Sequence, residues 1–373
     1  MVREYSSAAF VFISSRTGPT MGRVERRMLR VMEALVSRGS TVHLICTPNH
    51  PIGDEASALG VEVASYRLDR FNYFQTRSRV RKYLERYHPV VVHSTGLDAD
   101  LIARWAARGL RTAAVNSLTC VAWPRRGRGP VSTAIRRYLD VTTIDRTDLF
   151  VVDCTALVNR LVGASVPREC VVVDAPSIDI AEVMREAEEP AKMPERPIGP
   201  LVGYGGRMEA SRGLEHLVAA SAILDARGTI AEVIVAGEGP LLKELKGDTR
   251  SSRVRYLGYV ESVPAVLKRL SVAVFPSVGP GVPTALLEAA ALGRPIIASR
   301  VEGIEDLFED GSEIRLVPPG DPRALAVAIS DVLADPVASQ AMGERARVRT
   351  IDEYSSAASV ERHLEVYSRF MRG

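Results

Sequence analysis

Short aliphatic and β-branched runs alternate with segments of helical periodicity along most of the chain. In the first half the runs fall at Ala9 to Ile13, Val42 to Cys46, Val90 to His93, Thr112 to Val115, Leu149 to Asp153 and Cys170 to Asp174. Helical patterns fit between them. The clearest, Val24 to Arg38, stops at Gly39, as a helix ending in a glycine cap does. This alternation predicts a parallel sheet covered by helices. From Ile180 to Pro200 the pattern lapses into an acidic stretch with four prolines in its last eleven residues, which predicts a linker and a domain boundary near residue 190. It then restarts, with strands expected at Leu201 to Tyr204, Glu232 to Ala236, Val254 to Leu257, Val272 to Pro276, Pro295 to Ala298 and Ile314 to Val317, and helices at about 211–227, 263–270, 283–292 and 321–334. The tail from Pro336 to Gly373 carries two helical stretches and no strand pattern. Two doubly wound domains in tandem predict a cleft lined by the carboxyl ends of both sheets.

Composition narrows the class. The chain has 373 residues, 46% of them hydrophobic, and lacks the run of about 20 apolar residues that spans a bilayer. Its opening, MVREYSSAAFVFISS, reads as a first strand and not as a cleaved signal, so a cytoplasmic protein is expected. Cys46, Cys120, Cys154 and Cys170 show no CxxC pairing, which argues against a disulfide framework and a zinc site. Residues 1–180 carry 25 basic and 17 acidic side chains, a balance of +8, and residues 181–373 carry 23 and 28, a balance of −5. The basic stretch from Arg67 to Arg137, including WPRRGRGP, is interleaved with Tyr73, Phe74, Tyr83, Tyr87 and Trp123. Such a surface suits a peripheral contact on the cytoplasmic face of a membrane or a lipid-diphosphate acceptor, and a solvated helix face is the plain alternative. No nucleic-acid recognition module accompanies it, so specific nucleic-acid binding is not expected.

Three segments of the second half carry candidate chemistry. In LVGYGGRMEASRGLEHL a strand runs into Gly205 and Gly206, where backbone can approach a ligand, and Arg207 and Arg212 can converge on a diphosphate. In FPSVGPGVPTALLEAAALG a strand, a Gly/Pro loop and a helix follow one another. Pro283 suits the first helical turn, and the amides of Thr284 and Ala285, with Gly281 and Val282 before them, form an anion site. Glu288 stands one turn further in, where a carboxylate can accept both ribose hydroxyl hydrogens. Its neighbours are almost wholly apolar, so a charge there needs a reason. In VRYLGYV the backbone at Leu257 stands at a strand end, suited to a nucleobase edge.

Taken together, GGRMEASRGLEHLVAA, VIVAGEGP, VRYLGYV, PGVPTALLEAAALGRPIIAS and DGSEIRLVPPGDPRALAVAI resemble the donor domain of the family 4 glycosyltransferases, over roughly residues 200 to 335. GPTMGRVERRMLRVMEALVSRGSTVHLI and SVPRECVVVDAPSID resemble, more loosely, the family's acceptor-side domain. The resemblance implies an α/β protein of the GT-B fold: two Rossmann-like doubly wound domains facing across a cleft, residues 1–190 on the acceptor side, residues 191–355 binding the donor, and a crossover helix at 356–373 returning to the first. It implies a retaining, metal-independent transfer of a sugar from a nucleotide-diphosphate sugar, UDP- or GDP-linked, to an acceptor hydroxyl of unidentified chemistry. The nucleotide sugar is a co-substrate, and no cofactor is implied. Arg207 and Arg212 would hold the diphosphate, Glu288 the ribose, and Gly22 and Arg23 the loop facing the donor, with His93, Asn116 and Ser117 on the acceptor side.

The sequence departs from the family in four places. Pro280 stands where a glutamate usually meets the donor sugar. Arg23 replaces the second loop glycine, Asn116 or Ser117 an expected histidine, and Pro176-Ser177 an Asn-Gly pair. These departures keep a second reading open, a non-catalytic nucleotide-binding subunit or scaffold.

Overall fold

The computed structural model describes residues 5–6, 8–17, 21–67, 73–119, 138–191, 193–194, 197–247 and 253–371. Cys120 and the WPRRGRGP segment with Trp123 lie outside the described residues. The chain divides into two compact units, residues 1–175 with 357–373, and residues 176–356.

The first unit is built on a seven-stranded parallel sheet of order β3-β2-β1-β4-β5-β6-β7. Its strands are β1 (Ala9–Ser14), β2 (Thr41–Cys46), β3 (Glu62–Ser65), β4 (Val91–Thr95), β5 (Ala113–Leu118), β6 (Leu149–Val152) and β7 (Val171–Val173). The helices between them are α1 (Arg23–Ser37), α2 (Pro51–Ala58), α3 (Tyr73–Tyr87), α4 (Leu97–Ala106) and α5 (Thr155–Gly163). On one face Met28, Met32 and Leu35 of α1 pack over Phe10, Phe12 and Leu44. On the other, Val80 and Leu84 of α3 and Ile102 and Ala103 of α4 close over Val11, Ile13 and Ile45. The continuous apolar strands are what a sheet covered on both faces requires. β3 is the strand that the hydrophobic pattern does not reveal. It is a four-residue edge strand with no buried residue, so it lacks an apolar run.

The second unit repeats the plan with six parallel strands in the order β10-β9-β8-β11-β12-β13. These are β8 (Leu201–Gly205), β9 (Glu232–Ala236), β10 (Val254–Gly258), β11 (Val272–Phe275), β12 (Ile296–Ser299) and β13 (Arg315–Val317). The helices are α6 (Ile180–Glu186), α7 (Leu214–Ala226), α8 (Leu242–Lys246), α9 (Val263–Leu267), α10 (Thr284–Ala291), α11 (Pro322–Ala334) and α12 (Pro336–Tyr354). The stretch expected to be a linker instead opens with a folded helix, which places the division at residue 175 and not near 190. Asp179 caps α6 by accepting from the Glu182 amide at 3.0 Å, and Ser262 Oγ donates to the Glu186 carbonyl at 2.7 Å. α13 (Ser356–Met371) belongs to the first unit, where Leu364, Val366 and Tyr367 join the cluster over Phe10 and Phe12. Among the described residues no single helix is long and apolar enough to cross a membrane.

Candidate functional site

In the second unit three strand ends are tied together around the expected nucleotide loop. The Gly206 amide donates to Ala236 O at 3.0 Å, Met208 N to Glu238 O at 2.8 Å and Gly237 N to Gly258 O at 2.7 Å. A side chain on Gly237 would collide with the Gly206 carbonyl, which explains the glycine of VIVAGEGP. Tyr204, 2% exposed, donates from its hydroxyl to the Arg207 carbonyl at 2.9 Å. Burial pushes that phenol up to about 12, against the opposing field of Arg212 and with that of Glu209. It therefore stays a neutral donor at all physiological pH values and holds the Arg207 backbone in place.

The second tie joins this loop to the one before α10. The amides of Val278 and Gly279 both donate to Ser211 O, at 3.0 and 3.2 Å. Gly213 (φ +59°) breaks the helix expected from 211 into a short 3-10 turn, Ala210–Arg212, followed by α7. A Cβ there would collide with Pro276 O. The arginine loop is thus joined to the loop that leads into the Gly281–Glu288 segment. Arg207 is 76% exposed at its side chain and pairs with Glu209 at 2.7 Å, whereas Arg212 is half-buried.

Pro283 is the residue before α10 and not its first helical residue. No side chain caps this helix, so the amides of Thr284 and Ala285 keep their partial positive charge for a ligand. The Gly281 amide is taken by Glu302 O at 2.9 Å, and Val282 is buried at 2% exposure. These two residues shape the loop. Leu257 sits where the β9–β10 pairing shifts register between Tyr256 and Gly258, which leaves its backbone out of step with the ladder.

Glu288 is half-buried, and its side chain makes no ion pair or hydrogen bond among the described residues. Burial, and then the carboxylates of Glu186 and Glu182 on α6, raise its pKa from 4.5 to about 7. Glu288 thus stands one turn inside an uncapped helix, with its charged form disfavoured by burial and by two acidic neighbours.

The first unit separates the residues expected on its acceptor side. Asn116 is fully buried on one face of the sheet. There it accepts from Arg104 Nε at 2.8 Å and Thr147 Oγ1 at 2.6 Å and donates to Ser94 Oγ at 2.6 Å. Arg104 is in turn held by Asp140 at 2.8 Å. Asn116 is therefore spent inside the fold and corrects that expectation. His93 and Ser117 meet on the opposite face, His93 Nε2 lying 2.8 Å from Ser117 Oγ and His93 Nδ1 2.5 Å from the Tyr367 hydroxyl. At the start of α1 the Gly22 amide donates to Glu25 Oε2 at 2.9 Å, and Arg23 is half-buried. One arginine of the basic stretch is consumed internally as well: Arg77 stacks on Trp105, 4.5 Å from the ring centroid, and Arg146, beyond the stretch, lies 3.9 Å from the same centroid.

One cluster is invisible in the sequence. Asp174, 1% exposed, receives Arg27 Nη1 at 2.9 Å, Arg362 Nε at 2.8 Å and Ser359 Oγ at 2.8 Å. Burial raises its carboxyl, but Arg27, His363, Arg362 and the Ser359 hydroxyl together outweigh that and hold it below the ordinary range. The signal in the sequence is only an acid ending a valine run, 185 residues from the serine that meets it.

Residues 22–175 match the family described as glycosyl transferase 4-like domain, and residues 199–335 match glycosyl transferases group 1. The chain belongs to the GT4-type glycosyltransferases. Alpha-D-kanosaminyltransferase of Streptomyces kanamyceticus is 30% identical over 174 residues, 45% of each chain. The 2-deoxystreptamine glucosyltransferase of the same organism is 29% identical over 249 residues, 64% of this chain and 62% of that one. The chain spans about half the length of the curated relatives it matches first. Among solved structures, Anabaena HepE in complex with UDP superposes with a TM-score of 0.77 at 16% identity, over 97% of this chain and all of that one. Sucrose-phosphate synthase of Thermosynechococcus elongatus gives 0.71 at 20% identity, over 98% and 99%. Both likenesses place this GT4-type chain in the GT-B fold.

Proposed function

We propose that this chain is a retaining glycosyltransferase that moves a sugar from a nucleoside-diphosphate sugar to an acceptor hydroxyl. The observation that carries the reading is the tied pair of loops in the second unit, the Val278 and Gly279 amides on Ser211 O, which joins the segment bearing Arg207 and Arg212 to the one leading to the uncapped start of α10 and Glu288. As the anomeric carbon–oxygen bond breaks, negative charge grows on the leaving diphosphate. Preorganised guanidiniums and helix amides stabilise that charge more than they stabilise the ground state. Glu288, ionised, accepts the ribose hydroxyls and sets the register of the donor. Pro280 supplies no carboxylate to the sugar, so sugar selectivity comes from elsewhere. HepE, similar in fold, has been captured with UDP and with UDP-glucose, which supports a uridine donor as the first to try.

The test is a thermal-shift screen of UDP, GDP and their sugar conjugates, followed by donor turnover. Ligand at 100 times its Kd stabilises the native state by about 2.7 kcal/mol. A shift with at least one nucleoside diphosphate, and slow release of nucleotide from its sugar conjugate, are expected. A nucleotide that binds while no conjugate turns over, with saccharide and cyclitol acceptors present, refutes the enzyme reading in favour of a binding subunit.

A further inference from the structure

Two residues beyond the end of β8, Arg207 is held from both ends. Its carbonyl accepts the Tyr204 hydroxyl at 2.9 Å and the Glu209 amide at 3.2 Å. Tyr204 reaches it from within β8, its buried ring lying edge-on to Phe275 of β11 with centroids 5.9 Å apart. Gly206, at φ +137°, turns the chain back over that ring, and a Cβ there would stand 3.0 Å from the Tyr204 hydroxyl. A glycine lets the main chain settle on the phenol this closely.

At the other end, Glu209 Oε1 lies 2.7 Å from Arg207 Nε. Glu209 is itself fixed, since its amide donates to Arg207 O and its carbonyl accepts from the Arg212 amide at 2.9 Å. The ion pair uses the guanidinium nitrogen nearest the stem. No residue besides Glu209 pairs with this side chain among the described residues, so the far edge of the fork, Nη1 and Nη2, remains for a ligand. That edge can meet two phosphate oxygens at once. An arginine fixed before its ligand arrives also loses less rotamer freedom on binding.

We infer that Tyr204 and Glu209 are positioning residues, the phenol holding the Arg207 carbonyl and the carboxylate its Nε, which together present the Nη1–Nη2 edge to a diphosphate before one arrives. This deepens the proposed function, on whose diphosphate contact it rests. The Glu209 charge opposes an incoming phosphate while its bond to Nε favours one. Glu209→Gln separates the two effects, because its amide oxygen keeps the acceptor and drops the charge.

The test is a double-mutant cycle on the full chain, read by calorimetric titration of UDP, GDP and inorganic pyrophosphate at pH 8. Tyr204→Phe should weaken whichever diphosphate binds about fivefold, the value of one neutral hydrogen bond, and Glu209→Ala about threefold, as an exposed ion pair allows. Glu209→Gln should bind within about twofold of wild type, or more tightly. In an Arg207→Ala background neither Tyr204→Phe nor Glu209→Ala should weaken binding further, whereas a merely structural role would weaken it equally in both backgrounds. Unchanged affinity in Tyr204→Phe, an equal loss in the Arg207→Ala background, or Glu209→Gln binding as weakly as Glu209→Ala overturns the inference. Pyrophosphate keeps the two readings apart. If it binds and shows the cycle while UDP and GDP do not bind, the donor reading fails and this inference stands; if wild type binds none of the three, this inference fails as well.

Discussion

Replacing Glu288 by glutamine should stabilise the protein above neutral pH while weakening nucleotide binding. Its carboxyl is raised from 4.5 to about 7, by burial first and then by Glu186 and Glu182. A carboxyl raised on folding binds its proton more tightly in the native state. Its penalty is therefore absent below pH 4.5, grows as pH rises, and is complete above pH 7. That interval corresponds to about 3 kcal/mol, and the part of the side chain still hydrated lowers the expectation to about 2 kcal/mol. For a unit of this size, about 2 kcal/mol moves the melting temperature by about 4–8 °C. The assay is thermal melting of wild type and Glu288→Gln from pH 5 to 8.5, with the two curves close at pH 5 and the variant higher by that margin at pH 8. The ionised form is the one that accepts ribose hydroxyls, so wild-type affinity for a nucleotide should rise about tenfold between pH 6 and 8. Equal melting of the two proteins at pH 8, or a variant less stable there than wild type, would refute the reasoning.

Asp174→Asn leaves Arg27 and Arg362 without their buried counter-charge and should cost about 3–5 kcal/mol, read by urea denaturation. Because the Asp174 carboxyl is held low, its contribution is present above the unfolded value near 3.8 and is lost as pH falls through the native value. An acid titration of stability should therefore be flatter in the variant. Gly213→Ala forces a side chain into a left-handed position against Pro276 O. It should lower stability by about 1–3 kcal/mol and weaken nucleotide binding by loosening the two loops, a coupled loss that calorimetry and melting can show together. If transfer is retaining, proton NMR of the product from an α-linked donor should show an α-linked glycoside.

Much of the second unit was legible because its central strands β8, β9, β11 and β12 are buried along their whole length and several of its glycines are forced by close approaches. Gly237 marks where the ends of β8 and β9 touch, Gly213 where the loop before α7 meets Pro276 after β11, and Gly205 where β8 meets Val263 of α9. The apolar flanks of Glu288 foretold its burial. The carboxylates that tune it lay in α6, however, within a stretch whose prolines and charge disguise a helix capped by Asp179. β3 escaped because an edge strand without buried residues leaves no hydrophobic mark. The first unit was harder still. Asn116 and Ser117 are neighbours in sequence, yet successive strand residues face opposite ways, so one joins Arg104 in a closed network and the other meets His93. The partners of Asp174 come from α1 and α13, and long-range pairing of that kind leaves no local pattern.

The central claim, that the second unit grips a nucleoside diphosphate through Arg207 and Glu288, is tested most directly by calorimetric titration of UDP and GDP into wild type, Arg207→Ala and Glu288→Ala at pH 8. Charge-assisted hydrogen bonds are worth about 1.5–3 kcal/mol, so each variant should lose about 10- to 150-fold in affinity for the nucleotide that wild type binds, with its fold intact by circular dichroism. Wild type that binds neither nucleotide, or both variants binding as wild type does, would contradict it.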